Sequence, residues 1–366
     1  MMAMKAALDL FIDANIVFLL AFCLWSLVQG MVARTVLKHN YPAQLRLMKI
    51  ALLVTMVSPA LAHLAVSAGQ ALWPKTPITV SDIAVASYLR GEISIPAVEF
   101  EALLNSRGRV IDGFLAGEVP ALTVLAAVLF VGVLFHAMRL AVSAQSVWRA
   151  VGNSYLWRRV GRVDIRLSDT VSVPFAARGF RHRYVVLPSS LVTEPKEMRL
   201  ILAHELQHLR DGDVEWELAF EIMRPIMVWN PAFGLWKRSF DKLRELSCDQ
   251  KVVARRRIES QDYMDCLLGF CERQVTGPLP RAMHVAFFRA QDRSSKQVFR
   301  NRIMALANRP KAVRMRLAVP VLSCLMAVGL SLAAASVRQP GDWSQDRLML
   351  STIVNLERLE AIQRRY

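Results

Sequence analysis

Acidic side chains are scarce in this chain of 366 residues: 30 Asp and Glu stand against 46 Lys and Arg, a formal charge of +16. Cysteine is scarcer still, with five in all (Cys23, Cys248, Cys266, Cys271 and Cys324). Their spacing suggests neither a disulfide framework nor a thiolate metal site. No helix-turn-helix, zinc knuckle or aromatic-rich basic sheet is recognisable, so the positive charge does not read as a nucleic-acid footprint. Attraction to an anionic inner leaflet explains it more simply. A small-residue cleavage site after the first apolar run is also missing, which argues against a secretory signal and for an uncleaved first span. Histidine numbers only seven, so two of them at a functional spacing carry information.

What the chain has in abundance is apolar sequence: 54% hydrophobic residues and a mean hydropathy of +0.30. A membrane helix needs about 20 apolar residues. Runs at 15–32, 119–136 and 317–337 meet that length, and a run at 48–68, interrupted by Pro59 and His63, is counted as a further span. Lys and Arg accumulate on the cytoplasmic side of membrane proteins. The short stretch 34–49 carries Arg34, Lys38, Arg46 and Lys49, and residues 139–314 carry 31 Lys or Arg against 18 Asp or Glu. Both are therefore expected inside, with the 69–118 loop and the 338–366 tail outside. The expected organisation is a membrane region over 1–138, a cytoplasmic domain over 139–314, a fourth span over 315–337 and a short extracytoplasmic tail.

Within the cytoplasmic stretch, Val163–Leu167, Val171–Phe175 and Tyr184–Leu187 read as short strands, and from Thr193 the period becomes helical. There the sequence spells His204-Glu205-Leu206-Gln207-His208. On a helix the two histidines, i and i+4, project from one face and can share a metal ion, while Glu205 is placed to take a proton from water. Leu200, Ile201, Leu202 and Ala203 would bury such a helix, and Gly212 would end it. Downstream, Asp241–Asp249 is again helical, with Glu245 and Asp249 on one face. Glu245 is a candidate third ligand. Asp249 and Asp213 are candidate carboxylates for the far nitrogens of the ligand histidines. The competing reading of Glu245 and Asp249 is a solvated helix face paired with Lys242 or Arg244.

HELQHLRDGD, Trp229-Asn230-Pro231 with Trp236, Glu245-Leu-Ser-Cys-Asp249, the segment 171–191 and Asn301-Arg302-Ile303 together resemble the membrane-embedded antirepressor metallopeptidases of the BlaR/MecR type. The resemblance implies an integral-membrane chain of about four helices carrying an α+β gluzincin-type domain on the cytoplasmic side of a bacterial inner membrane. It implies Zn2+ held by His204, His208 and Glu245, Glu205 as general base, and a signalling protease that cuts a cytoplasmic protein such as a transcriptional repressor, or itself. One departure stands out. Sensors of that family usually carry a penicillin-binding domain after the last span, whereas about 30 residues follow Val337 here. The one S-x-x-K, Ser239 to Lys242, has no K-T-G partner.

Rival readings are a housekeeping membrane protease of the HtpX or CAAX-protease kind and a non-catalytic, zinc-stabilised receptor or scaffold subunit. Tyr263 and His284 are candidate donors to the oxyanion of the tetrahedral intermediate. A substrate strand could pair with an exposed edge at 171–177 or 184–187. The stretch from Trp216 to Trp236 reads as a surface-lying helix-turn or as domain core. Residues 276–296 read as a loop and a candidate self-processing segment. The tail from Gln345 has helical spacing, suited to the outer leaflet or a partner protein.

Overall fold

A computed structural model describes residues 2–72, 80–118, 120–179, 181–227, 229–256, 258–276, 295–307, 318–337 and 345–363. The described chain is mostly helical, with one sheet. Helices α1 (Met2–Val32), α2 (Tyr41–Leu72), α3 (Val80–Leu89), α4 (Ala97–Leu104), α5 (Ser106–Ala116) and α6 (Pro120–Gly152) precede the strands. Strands β1 (Tyr155–Val160), β2 (Val163–Ser168), β3 (Phe175–Arg178) and β4 (Arg183–Pro188) follow. Then come α7 (Pro195–Asp211), α8 (Asp213–Met227), α9 (Pro231–Arg256), α10 (Ser260–Thr276), α11 (Ser295–Ala307), α12 (Ala318–Val337) and α13 (Gln345–Gln363). Among the described residues, two helices are long and apolar enough to cross a membrane, Met4–Val32 and Pro120–Gly152, and Pro320–Ala334 is a shorter apolar helix.

The chain divides into two compact units. The first comprises Met1–Leu27, Lys49–Leu129 and Arg316–Tyr366. Here the 69–118 segment, read from sequence only as a loop, contains three short helices, and the tail helix α13 packs on two of them. Val85, Ala97, Phe100, Leu350 and Val354 form the shared core, with Tyr88 stacked on Phe100 at 4.3 Å between centroids. Pro96 stands at the N-cap of α4 and makes no side-chain cap bond. Glu357 of α13 takes that role, accepting the backbone N–H groups of Ala97 and Val98 at 3.3 and 3.2 Å, where a helix end favours an anion. Arg107 of α5 reaches both Asp9 and Asp13 of α1.

The second unit comprises Val28–Met48 and Phe130–Met315. Its sheet runs in the order β1-β2-β4-β3. β1–β2 and β3–β4 are antiparallel hairpins, and β2 pairs in parallel with β4. β4 is central and covered on both faces, which is why its run reads as continuously apolar rather than alternating. Val185 and Leu187 join Ile165, Leu167, Leu191, Met198 and Leu209 against α7. Val186 and Tyr184 turn the other way, to Ala150, Val151, Val171 and Ala177. Each fully buried aliphatic side chain of this kind contributes about 1.5–3 kcal/mol, and the two-sided core fixes the sheet under the helix that bears the histidines. Gly179 in the β3–β4 turn has no room for a side chain: a Cβ there would lie 2.8 Å from the Tyr184 ring and 3.2 Å from Trp148.

The structure differs from the sequence reading at two places in this unit. β1 is an added strand. The run 171–175 is not one, because Pro174 lacks a ladder donor and the strand starts only at Phe175. The stretch from Trp216 to Trp236 is two helices, α8 and the start of α9, with Trp236 fully buried and Trp229 exposed.

Candidate metal centre

Helix α7 begins with Pro195, whose missing N–H costs nothing in the first turn, and ends at Gly212 in the left-handed conformation (φ 67°). One face presents Met198 and Leu209 to the sheet, with Ile201, Leu202 and Leu206 packed around them. His204 and His208 project one turn apart from another face. Their rings are perpendicular, 4.6 Å between centroids, and their Nε2 atoms are 3.1 Å apart. Because the helix stops at Gly212, the next residue turns back on it: Asp213 Oδ2 lies 2.8 Å from His208 Nδ1, and Asp213 is buried.

Helix α9 supplies the acidic side. Glu245 places Oε2 3.5 Å from His204 Nε2 and Oε1 3.8 Å from His208 Nε2. One turn on, Asp249 Oδ1 is 3.4 Å from His204 Nδ1. Between them stands the Tyr263 hydroxyl of α10, 2.9 Å from His204 Nδ1 and donating to Asp249 Oδ1 at 2.9 Å. Each imidazole thus turns its Nδ1 toward an oxygen that ends in a carboxylate, which keeps the proton there and leaves Nε2 with a lone pair. Two Nε2 atoms facing one another with a carboxylate beside them form a site for positive charge, protons on the rings or one metal ion between them. Donors held about 2.1 Å from one tetrahedral ion are about 3.4 Å apart, and the three separations here, 3.1, 3.5 and 3.8 Å, bracket that value.

Cys248 is a second candidate for the third position, since its ligand atom and those of His204 and His208 all lie within 4.8 Å of one another. The geometry favours Glu245. Its oxygens face the converging Nε2 atoms, whereas Cys248 Sγ sits 3.4 Å from His204 Nδ1, on the far side of the ring, and is bonded to His204 O at 3.5 Å.

The electrostatics of the cluster favour positive charge there, carried by the imidazoles themselves when no metal is bound. Burial pushes both imidazoles down, but Cys248 and the carboxylates Glu245 and Asp213 outweigh it, carrying His204 up to about 10 and His208 well above its usual value. Burial pushes Glu245 up, yet Arg302, the two histidines and Arg244 hold it well below the carboxylate range. Arg244 also binds Glu217, which accepts in turn from Lys237 at 2.9 Å. Glu217 and Lys237 are buried, so an ionic chain backs Glu245 through the core of α8 and α9.

The structure therefore brings together His204, His208, Glu245, Asp249 and Asp213. Glu205 lies half-buried on the same helix, and its carboxylate makes no hydrogen bond or ion pair among the described residues. Tyr263 is close but differently employed: its hydroxyl is committed to His204 and Asp249, behind the ring rather than facing a substrate. His284 lies outside the described residues, as does most of the 276–296 segment. Sequence reasoning named Arg244 only as a surface partner of Glu245, and Cys248 and Arg302 only within family-like stretches, without a role at the site. The structure shows the Arg244–Glu245 pair, buried rather than solvated.

The family model described as BlaR1 peptidase M56 matches residues 52–329. No individually curated protein matches the chain. The matched region holds the whole cluster. The chain belongs to the BlaR1 peptidase M56 family and is a membrane-associated metallopeptidase.

Proposed function

We propose that this chain is an integral-membrane zinc endopeptidase in which His204, His208 and Glu245 hold Zn2+ and Glu205 is the general base. The convergence of three donor atoms, with both Nδ1 atoms tied back to carboxylates, carries the reading. When bound, zinc supplies a Lewis acid for the scissile carbonyl and lowers the pKa of water toward neutrality. Glu205 takes the proton of the attacking water on its carboxylate and passes it to the departing amine nitrogen. Asp213 holds His208 by Nδ1, and Asp249 holds His204 through Tyr263, so neither ring has to reorient as charge develops.

The substrate is a protein or peptide bound as an extended strand. Of the two edges considered, β4 is interior to the sheet, whereas β3 has a free edge and lies against α7. Gly179 N–H donates to His182 O. By the alternation of an antiparallel pair, Phe175 and Ala177 also face β4, and Ala176 and Arg178 present their backbone groups outward.

Four spans, at 15–32, 48–68, 119–136 and 317–337, with the site toward the cytoplasm of a bacterial inner membrane, fit the Lys and Arg distribution. In that topology the basic domain lies beside an anionic leaflet. The biological role is signal relay by cleavage of a cytoplasmic protein, a transcriptional repressor or the chain itself. Residues 214–240 disfavour the housekeeping alternative, in which spans separate the two motifs. They form α8 and the first turns of α9, with Glu217 and Lys237 paired in the interior.

Glu205→Gln tests the proposal. Zinc content and fold should persist, proteolysis should vanish, and uncut proteins should accumulate in cells carrying the variant. Undiminished cutting would exclude Glu205 as the base. Zinc retained with no proteolysis by the wild type would favour a zinc-stabilised scaffold.

A further inference from the structure

Asp249 is nearly fully buried, and Tyr263 alone does not satisfy its two oxygens. The remaining contacts come from Arg302 of α11, far along the chain. Its Nε donates to Asp249 Oδ2 and its Nη2 to Oδ1, both at 2.7 Å. Its third nitrogen, Nη1, lies 3.3 Å from Glu245 Oε2, the oxygen that faces His204. The guanidinium is itself mostly buried, 13% exposed. One planar group thus grips a carboxylate with two parallel bonds and braces a second one a helical turn away. The chain of contacts then runs from Arg302 through Asp249 and Tyr263 to His204 Nδ1.

We propose that Arg302 is a positioning residue of the metal centre, fixing Glu245 directly and His204 through Asp249 and Tyr263. The inference rests on the reading of His204, His208 and Glu245 as ligands. Lysine could not replace it: an ammonium is a point charge, whereas the fork alone spans both Asp249 oxygens and still reaches Glu245. Arg244, the other cation on Glu245, belongs to α9 itself and touches Oε1 at 3.2 Å. It supports the ligand and ties α9 to α8 through Glu217, whereas Arg302 brings α11 onto both Glu245 and Asp249.

The experiment uses the full chain in detergent micelles and compares wild type, R302K, R302Q and H204A. Zinc affinity is measured by chelator competition, and the visible spectrum is recorded after substitution with Co2+. Supporting groups of this kind change metal affinity by about 10–100-fold. R302K and R302Q should both bind zinc that much more weakly, and the Co2+ bands of R302K should shift in position and intensity. A merely structural arginine would alter the melting temperature and leave that spectrum alone. Zinc affinity within twofold of wild type and an unchanged Co2+ spectrum in R302K overturn the proposal. H204A separates the two layers: if it binds zinc like the wild type, the ligand reading itself fails. If only H204A loses zinc, Arg302 alone is misassigned. Should both Arg302 variants fail to fold, the double variant D249N/R302Q, which removes both opposed charges, decides by the same two readouts.

Discussion

Asp213→Asn isolates one charge at the centre while keeping the side chain's shape. Asp213 Oδ2 is 2.8 Å from His208 Nδ1, and the residue is 2% exposed, so water cannot replace the carboxylate. A hydrogen bond to an ionised group is worth about 1.5–3 kcal/mol and a neutral one about 0.5–1.5. Swapping one for the other should thus weaken the hold on a metal-bearing imidazole by roughly 1–1.5 kcal/mol. Loss of a carboxylate behind a ligand histidine generally costs about 10–100-fold in metal affinity, or about 1.4–2.7 kcal/mol. The two figures meet near tenfold. A further loss is available to the amide: rotated, it donates to Nδ1 and drives the imidazole proton onto Nε2, the atom meant for the metal. The expected outcome is zinc affinity reduced about tenfold or more in chelator competition, with unchanged far-ultraviolet circular dichroism. A shift under twofold, about 0.4 kcal/mol, would refute the argument that this carboxylate sets the tautomer of His208.

Gly212→Ala should lower stability by about 1–2 kcal/mol in thermal melts through the cost of the left-handed backbone. The nearest atom to a Cβ there, Glu215 Oε2, is at an ordinary 3.8 Å, so a larger loss would point to a clash instead. Glu217→Gln should cost about 3 kcal/mol at neutral pH, the low end for breaking a buried ion pair, because Asp241 still contacts Lys237 and Arg244. Burial raises the Glu217 pKa, but Arg244 and Lys237 hold it below its usual value. Its contribution is therefore present above that usual value and is lost as pH falls below it. Acid titration of stability should lose that limb in the variant. Ala176→Pro removes an outward donor from the free edge of β3. A fall of about fivefold in kcat/KM for a peptide substrate is expected, the worth of one hydrogen bond at roughly 1 kcal/mol, and no fall would move the substrate off that edge. Chelation should lower the melting temperature and added zinc restore it, with about 2.7 kcal/mol of stabilisation at a zinc concentration one hundred times Kd.

The parts of the site legible in the sequence are those set by local geometry. His204 and His208 share a face because α7 is a helix, and Glu245 and Asp249 do so on α9. The stop at Gly212 announced itself by residue type. What was hidden depends on packing between distant segments. What Arg302 and Cys248 do within their family-like stretches is not legible until α11 lies against α9 and α9 meets α7. β1 escaped notice because all six of its residues are exposed, so it carries no alternation of buried and open positions. Two helices of 69–118, α3 and α4, were hidden for a related reason: their apolar faces are completed by α13, far away in the chain.

The cluster's members are dealt out along the chain between His204 and Arg302. Proteins are made from the N-terminus and fold domain by domain as they emerge. When α7 has just left the ribosome, both histidines are present, but Glu245 and Asp249 do not yet exist. When α9 follows, it brings Glu245 with Arg244 beside it, but the guanidinium that binds Asp249 is still to be synthesised. The described network closes only once α11 has been made. A nascent or truncated chain thus holds the HExxH motif without the assembled centre around it. The order of synthesis by itself delays a complete site until nearly the whole domain has been made.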